Sequence, residues 1–199
     1  MVKKTFSILA TLLFVAQGVW GQLPQVTVCT EAELFEAVEE SREITLGADI
    51  QLSSCLKFIS NSYILNLNGH TLSRNMAAPD EWGQVICIMD HGRLWINDKS
   101  DNSGMITGGW SYQGGAIYVY PDCDLFFNGG TITGNRADKT SSGGLGFGGA
   151  IECHGTMEMN GGVITGNTAG QYGGGIYVGG RGSENEGKWT GTSPGPPLW

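Results

Sequence analysis

One six-residue text occurs three times in this chain, and it limits the fold more than any other feature. Gly114-Gly115-Ala116-Ile117-Tyr118-Val119 recurs as Gly148-Gly149-Ala150-Ile151-Glu152-Cys153 and again as Gly173-Gly174-Gly175-Ile176-Tyr177-Val178. Two further units separate the copies. Leu125-Phe126-Phe127-Asn128-Gly129-Gly130 matches Met157-Glu158-Met159-Asn160-Gly161-Gly162, and Thr131-Ile132-Thr133-Gly134-Asn135 matches Val163-Ile164-Thr165-Gly166-Asn167, each 32 residues on. Fainter copies lie upstream. Ile86-Cys87-Ile88, Leu94-Trp95-Ile96-Asn97 and Met105-Ile106-Thr107-Gly108 fill the three slots, as do Leu56-Lys57-Phe58, Leu65-Asn66-Leu67-Asn68 and Thr71-Leu72-Ser73 one rung earlier. In this alignment Asn68, Asn97, Asn128 and Asn160 are equivalent, and their side chains can bond from rung to rung at about 4.8 Å. A fixed period of this kind is the signature of a solenoid.

Each unit alternates apolar and other residues, the pattern of a strand with one buried face. Three such strands per turn, each ended by Gly or Asn, predict an all-β fold. The form expected is a right-handed parallel β-helix solenoid over 44–180, with about four rungs and a partial fifth. The 33 Gly among 199 residues then belong at corners, where the chain bends with positive φ. The absence of a Gly at every third position excludes collagen. A content of 40% apolar residues in patterned runs argues against disorder.

The two ends read differently. Residues 1–21 have the form of a secretory signal peptide: Lys3 and Lys4, the apolar stretch from Phe6 to Val15, then Val19-Trp20-Gly21 before Gln22. Once it is removed, no segment could span a bilayer. Residues 22–43 read as a strand and a short N-terminal capping helix. Thr30 with Glu33 forms a capping box, and Ala32, Leu34, Phe35 and Val38 form an apolar face. Residues 181–199 read as an irregular C-terminal tail. No second or third unit follows Val178, so a partner or a missing chain would have to cover the last rung.

The 11 basic against 19 acidic residues supply no basic stripe, which excludes nucleic acid as a partner. Five cysteines, none in a CxxC pair, disfavour zinc. Export would permit disulfides. The one pairing suggested is Cys29 with Cys55, tying the helix to the first turns, while Cys153 is expected in the core.

The Gly-Gly-Ala-Ile units at 114 and 148, with Ile-Thr-Gly-Asn at 132 and 164, resemble the GGA(I/L/V) and FxxN repeats of polymorphic outer membrane proteins, with Ile here in place of Phe. The stretches Ile44 to Leu52 and Ile64 to Leu72 look like the first turns of secreted bacterial pectin-lyase-like proteins. The adhesin-like resemblance implies surface display and attachment to a glycan or a host surface. The enzymatic one implies cleavage of acidic polysaccharides. Asp90-His91-Gly92 and Cys153-His154-Gly155 match the motifs of such enzymes only in part, so no catalytic residue carries over.

Outward residues of stacked strands form stripes. On the first unit the stripe reads Lys57, Cys87, Tyr118, Glu152 and Tyr177, with Met89, Tyr120 and His154 two residues further along. Tyr118, Tyr120 and Tyr177 beside Glu152 and His154 could hold a sugar by stacking and hydrogen bonding. On the second unit Trp95 and Phe126 face outward together, packed under a loop or forming a contact patch. Asp90, Asp122 and Asp124 sit in turns, where Asp usually bonds its own backbone, so neither a metal nor a cofactor is assigned. Inserted segments, 76–82, 109–113 and 137–147, all precede the first unit of the next rung, a place where binding often resides. These features favour an exported, non-enzymatic, adhesin-like or glycan-binding protein of the bacterial surface or secretome. Two alternatives stand beside it: a polysaccharide lyase or hydrolase or its remnant, and a stalk fragment of a longer surface protein.

Overall fold

The computed structural model describes residues 25–141, 143, 145–179 and 188–191. The signal-peptide reading of 1–21 lies outside them. Among the described residues the chain is an all-β parallel solenoid with one helix, Glu31–Glu40.

Among the described residues, four parallel sheets carry the strands. The first stacks Gln25–Val28, Glu43–Leu46, Ser62–Asn66, Arg93–Asn97, Asp124–Phe127, Thr156–Met159 and Lys188–Gly191. The second stacks Leu56–Ile59, Ile86–Met89, Ile117–Val119, Ile151–Cys153 and Ile176–Val178. The third stacks Ile50–Gln51, Thr71–Ser73, Met105–Thr107, Thr131–Ile132 and Val163–Ile164, and a fourth stacks Trp110–Ser111, Arg136–Ala137 and Thr168–Ala169. Inward residues of the first three sheets, such as Leu125, Ile117 and Ile132, join one hydrophobic core and are fully buried. Such burial contributes about 1.5–3 kcal/mol for each large apolar side chain.

The registers follow the repeat in most places. Ile86 pairs with Ile117, Ile117 with Ile151, and Ile151 with Ile176. The first rung departs from it. Leu94 lies opposite Tyr63, not Leu65, and Asn97 lies opposite Asn66, not Asn68. A slip of two residues keeps every side chain on its own face, so alternation alone cannot detect it. Tyr63 thereby turns inward, set edge-on to Phe58 at 5.0 Å. The asparagine ladder consequently runs Asn66, Asn97, Asn128, Asn160. Each amide donates to the carbonyl oxygen of the one before, at 3.1, 2.9 and 3.1 Å. Asn68 instead adopts a φ of 52° at the corner.

The Thr-Gly-Asn text of the third unit locks another corner. Asn135 is buried; it accepts from the Gly109 amide at 3.0 Å and donates to the Ile106 carbonyl at 3.0 Å. Asn167 repeats this one rung on, donating to the Ile132 carbonyl and accepting from the Asn135 amide. Gly114, Gly148 and Gly173 hold equivalent positions with φ of 56°, 60° and 66°. A side chain at any of them would run into the backbone of the residue three further on, so the text needs glycine there.

The helix has its capping box: the Glu33 amide donates to the Thr30 hydroxyl, and Glu33 accepts from the Thr30 amide. Its buried face is Leu34, Ala37 and Val38. Ala32 is exposed, because the residues meeting the core are three and four apart, counted from Leu34. The tail also departs from expectation, since Lys188–Gly191 forms a strand pairing with Thr156–Met159. Lys-Trp-Thr-Gly is too short to show an alternation, and so its strand character is not visible in the sequence.

Two stability outcomes follow from these bonds. Asn128→Ala breaks the ladder on both sides and should cost about 1–2 kcal/mol in urea unfolding. Asp98 accepts from the Gly69 amide, the Ser100 hydroxyl and the Gly104 amide. Partial burial opposes its charge, but these donors outweigh it and hold the carboxyl below its ordinary 3.8. A depressed value contributes stability that is complete above 3.8 and lost as pH falls through the folded value. Asp98→Ala should therefore be about 1–3 kcal/mol less stable at neutral pH, with the gap closing in acid unfolding curves.

Candidate functional site

The outward side of the second sheet is not a plain solvent face. Cys87 is 0% exposed, Tyr118 9% and Glu152 1%. Cys55, Cys87 and Tyr118, with Met89 and Tyr120 against them, form a second, smaller apolar cluster outside the sheet. The inserted segments lie over this side. Arg74 holds the 76–84 segment by donating to the carbonyls of Trp82 and Gln84, at 2.9 and 3.0 Å. Gln84 in turn donates to the Gln113 carbonyl at 2.8 Å. Tyr118 is therefore not an open stacking platform, because loops from successive rungs cover it.

Glu152 and His154 are alternate residues and so emerge on the same side of the sheet. His154 Nε2 and Glu152 Oε1 lie 2.8 Å apart. The other two polar atoms of the pair, Glu152 Oε2 and His154 Nδ1, are buried and have no hydrogen-bond partner among the described residues. Native structures rarely leave such groups unpaired, since each costs about 1–3 kcal/mol. With the Nε2–H donating to the carboxylate, both remaining atoms are acceptors suited to a hydroxyl; in the doubly protonated imidazole Nδ1 is a donor as well. The Tyr118 ring is tilted 5.5 Å from His154 and set edge-on to Tyr120 at 4.6 Å.

An aromatic wall stands beside the pair. Phe147 stacks on Tyr177 at 4.6 Å and on Tyr172 at 5.8 Å, with ring planes within 18° and 11°. Tyr172 is 65% exposed. Gly179 brings the wall and the pair together: a side chain there would come within 2.8 Å of the Tyr177 ring and 2.7 Å of His154. Phe147 and Tyr172 were not among the residues expected from the sequence. Their signal was positional, because Gln113, Phe147 and Tyr172 each immediately precede a Gly-Gly pair and stand in register as bridges.

The remaining expected residues lie elsewhere. Trp95 and Phe126 stack at 4.4 Å and 8° on the first sheet, half-buried. They spend their ring faces on each other, and the structure does not bring them to the Glu152 pair. Asp124 is paired with Arg93 at 2.9 Å, and Asp90 accepts from the Ser60 hydroxyl. Cys29 is exposed, and its amide donates to Glu33. Cys55 is buried with its sulfur 3.1 Å from that of Cys87. The Cys29–Cys55 pairing is thus not what the structure presents: the corner at Ser53 is bonded to Glu31 of the helix, but the Cys29 sulfur lies against Gly47 and the Cys55 sulfur against Cys87. A cleft of about 350 Å³ between the helix and the second sheet, lined by Val38, Cys55, Lys57 and Trp82 among others, shares no lining residue with the Glu152 pair. No family model, curated protein or solved structure matches the chain.

The cost of the unpaired atoms can be measured directly. His154→Ala strands the Glu152 carboxylate and should lower the unfolding free energy by about 1–3 kcal/mol. Adding Glu152→Leu should restore most of that loss, as apolar replacement of a buried pair commonly does.

Proposed function

We propose that the chain is an exported protein of the bacterial surface or secretome that binds a glycan without cleaving it. Its strands would close into a right-handed parallel β-helix of about four rungs and a partial fifth. The stepwise parallel registers of the sheets support this reading. The observation that carries the binding function is the buried Glu152–His154 pair, with unspent hydrogen-bonding capacity, beside the Phe147–Tyr172–Tyr177 wall. A pyranose has both complements. Its C–H face lies on an exposed aromatic ring, and its hydroxyls donate to a carboxylate or an imidazole nitrogen.

A binding reading suits this geometry better than hydrolysis. General acid–base cleavage of a glycosidic bond ordinarily uses two carboxylates flanking it, and Glu152 has His154 as its near partner. At the last rung of the second sheet Val178 is 37% exposed, whereas its counterparts Val119 and Cys153 in the rungs before are fully buried. A further stacked segment or a partner would seat against it.

A glycan array with the exported chain, followed by calorimetry on the best ligand, tests the site. Tyr172→Ala and Glu152→Gln should each weaken binding by about tenfold or more, equivalent to about 1.4 kcal/mol. Trp95→Ala should leave the affinity unchanged. Full affinity in both site variants, or release of shortened sugars from the ligand by the parent chain, would overturn the reading.

A further inference from the structure

We propose that Cys55 and Cys87 are an oxidative modification site, closing into a disulfide that staples two consecutive rungs of the second sheet. Their sulfurs are 3.1 Å apart across a sequence separation of 32 residues. A disulfide needs about 2.05 Å, so the two side chains must approach by roughly 1 Å. The strands on either side are in fixed register, with Leu56 opposite Ile86 and Lys57 opposite Cys87. Cys55 stands in the corner just before its strand, and its side chain leans along the sheet to meet Cys87 diagonally. The remaining thiols do not share this contact: Cys29 lies exposed at the helix cap, and Cys123 and Cys153 belong to the main core.

The two sulfurs have different access. Cys55 lines the cleft of about 350 Å³ beside the helix, together with Lys57 and Trp82. Cys87 lies behind it, fully buried in the small cluster with Tyr118. A small-molecule disulfide entering the cleft therefore meets Cys55 first. The Cys55 thiolate attacks one sulfur of that oxidant, forming a mixed disulfide and expelling one thiolate. The Cys87 thiolate then attacks the Cys55 sulfur, forming the Cys55–Cys87 bond and expelling the second. The two cysteines lose two electrons, the oxidant gains them, and the protons from Cys55 and Cys87 end on the two released thiols.

The order of events matters for the second step. While both thiols are reduced, the hydrogen bond with Cys55, followed by burial, holds the Cys87 thiol far above its ordinary range. Engaging Cys55 in the mixed disulfide removes the first of these causes. The nearby positive charges of Lys57 and Arg74, which act in the opposite direction, then favour the Cys87 thiolate. The closed loop joins neighbouring rungs, and its main stabilising effect falls on the unfolded chain.

The test uses the full chain, folded and treated with oxidised glutathione, then unfolded and alkylated in acid-quenched denaturant, digested without reduction and read by mass spectrometry. The expected result is a linked peptide pair containing Cys55 and Cys87, with the other three cysteines alkylated. The oxidised parent should also melt several degrees above the same sample treated with dithiothreitol. Cys29→Ser should keep both results, whereas Cys55→Ser and Cys87→Ser should lose the reductant-dependent shift. Because the mass-spectrometric readout needs no variant, a variant that fails to fold leaves it decisive. A folded parent with neither the linked peptide nor the shift, a glutathione adduct that persists on Cys55, or a Cys29–Cys55 link would each overturn the proposal.

Discussion

The structure rests on hydrogen bonding between rungs. Each strand is two to five residues long, too short to hold its place alone, and its backbone partners belong to the turn before and the turn after. In such a stack each added rung supplies the ladder for the next, so stability accrues by nearest neighbours. The side chains repeat the same arrangement. The asparagine ladder on the first sheet and the Asn135–Asn167 corner lock both run along the axis of stacking. Equivalent residues must therefore be both similar and in register, which is why the repeat shows in the sequence at all.

That constraint also separates inside from outside. Inward residues of the first three sheets meet in one core and need only be apolar and of suitable volume. Outward residues are free to vary, and on the second sheet they read Lys57, Cys87, Tyr118, Glu152 and Tyr177. Loops leaving successive corners then fold over part of this side. A carboxylate, an imidazole and two thiols that a bare stripe would leave in water come to lie in a second, partly desolvated layer. Chemistry becomes possible there because water no longer satisfies those groups, and the proposed glycan site and the proposed disulfide both arise from this layer.

Legibility in the sequence differed by residue for physical reasons. The strands around Ile117, Ile151 and Ile176 could be read directly, because the Gly-Gly corner anchors their register. Tyr63 and Asn66 could not, because a two-residue slip leaves the alternation unchanged. The fourth sheet, beginning at Trp110, has strands of two residues and no apolar alternation to display. Among the candidate site residues, Glu152 and His154 were legible as neighbours on one face. Their burial and unspent atoms were not, since those depend on what covers the face. Phe147 and Tyr172 were hidden by lying in segments whose text does not otherwise repeat.

The sequence by itself determined a parallel solenoid of short strands, because period, alternation and corner glycines are local properties that survive without knowledge of contacts. The tertiary structure alone decided which outward residues are buried. It stacked Phe147 on Tyr177 and Tyr172 on Phe147, and it turned Cys55 to Cys87 in place of Cys29. Those outcomes depend on where loops of different length settle on the stack, which is set by packing between rungs; of them only the place of Phe147 and Tyr172 before a Gly-Gly pair leaves a periodic trace in the chain.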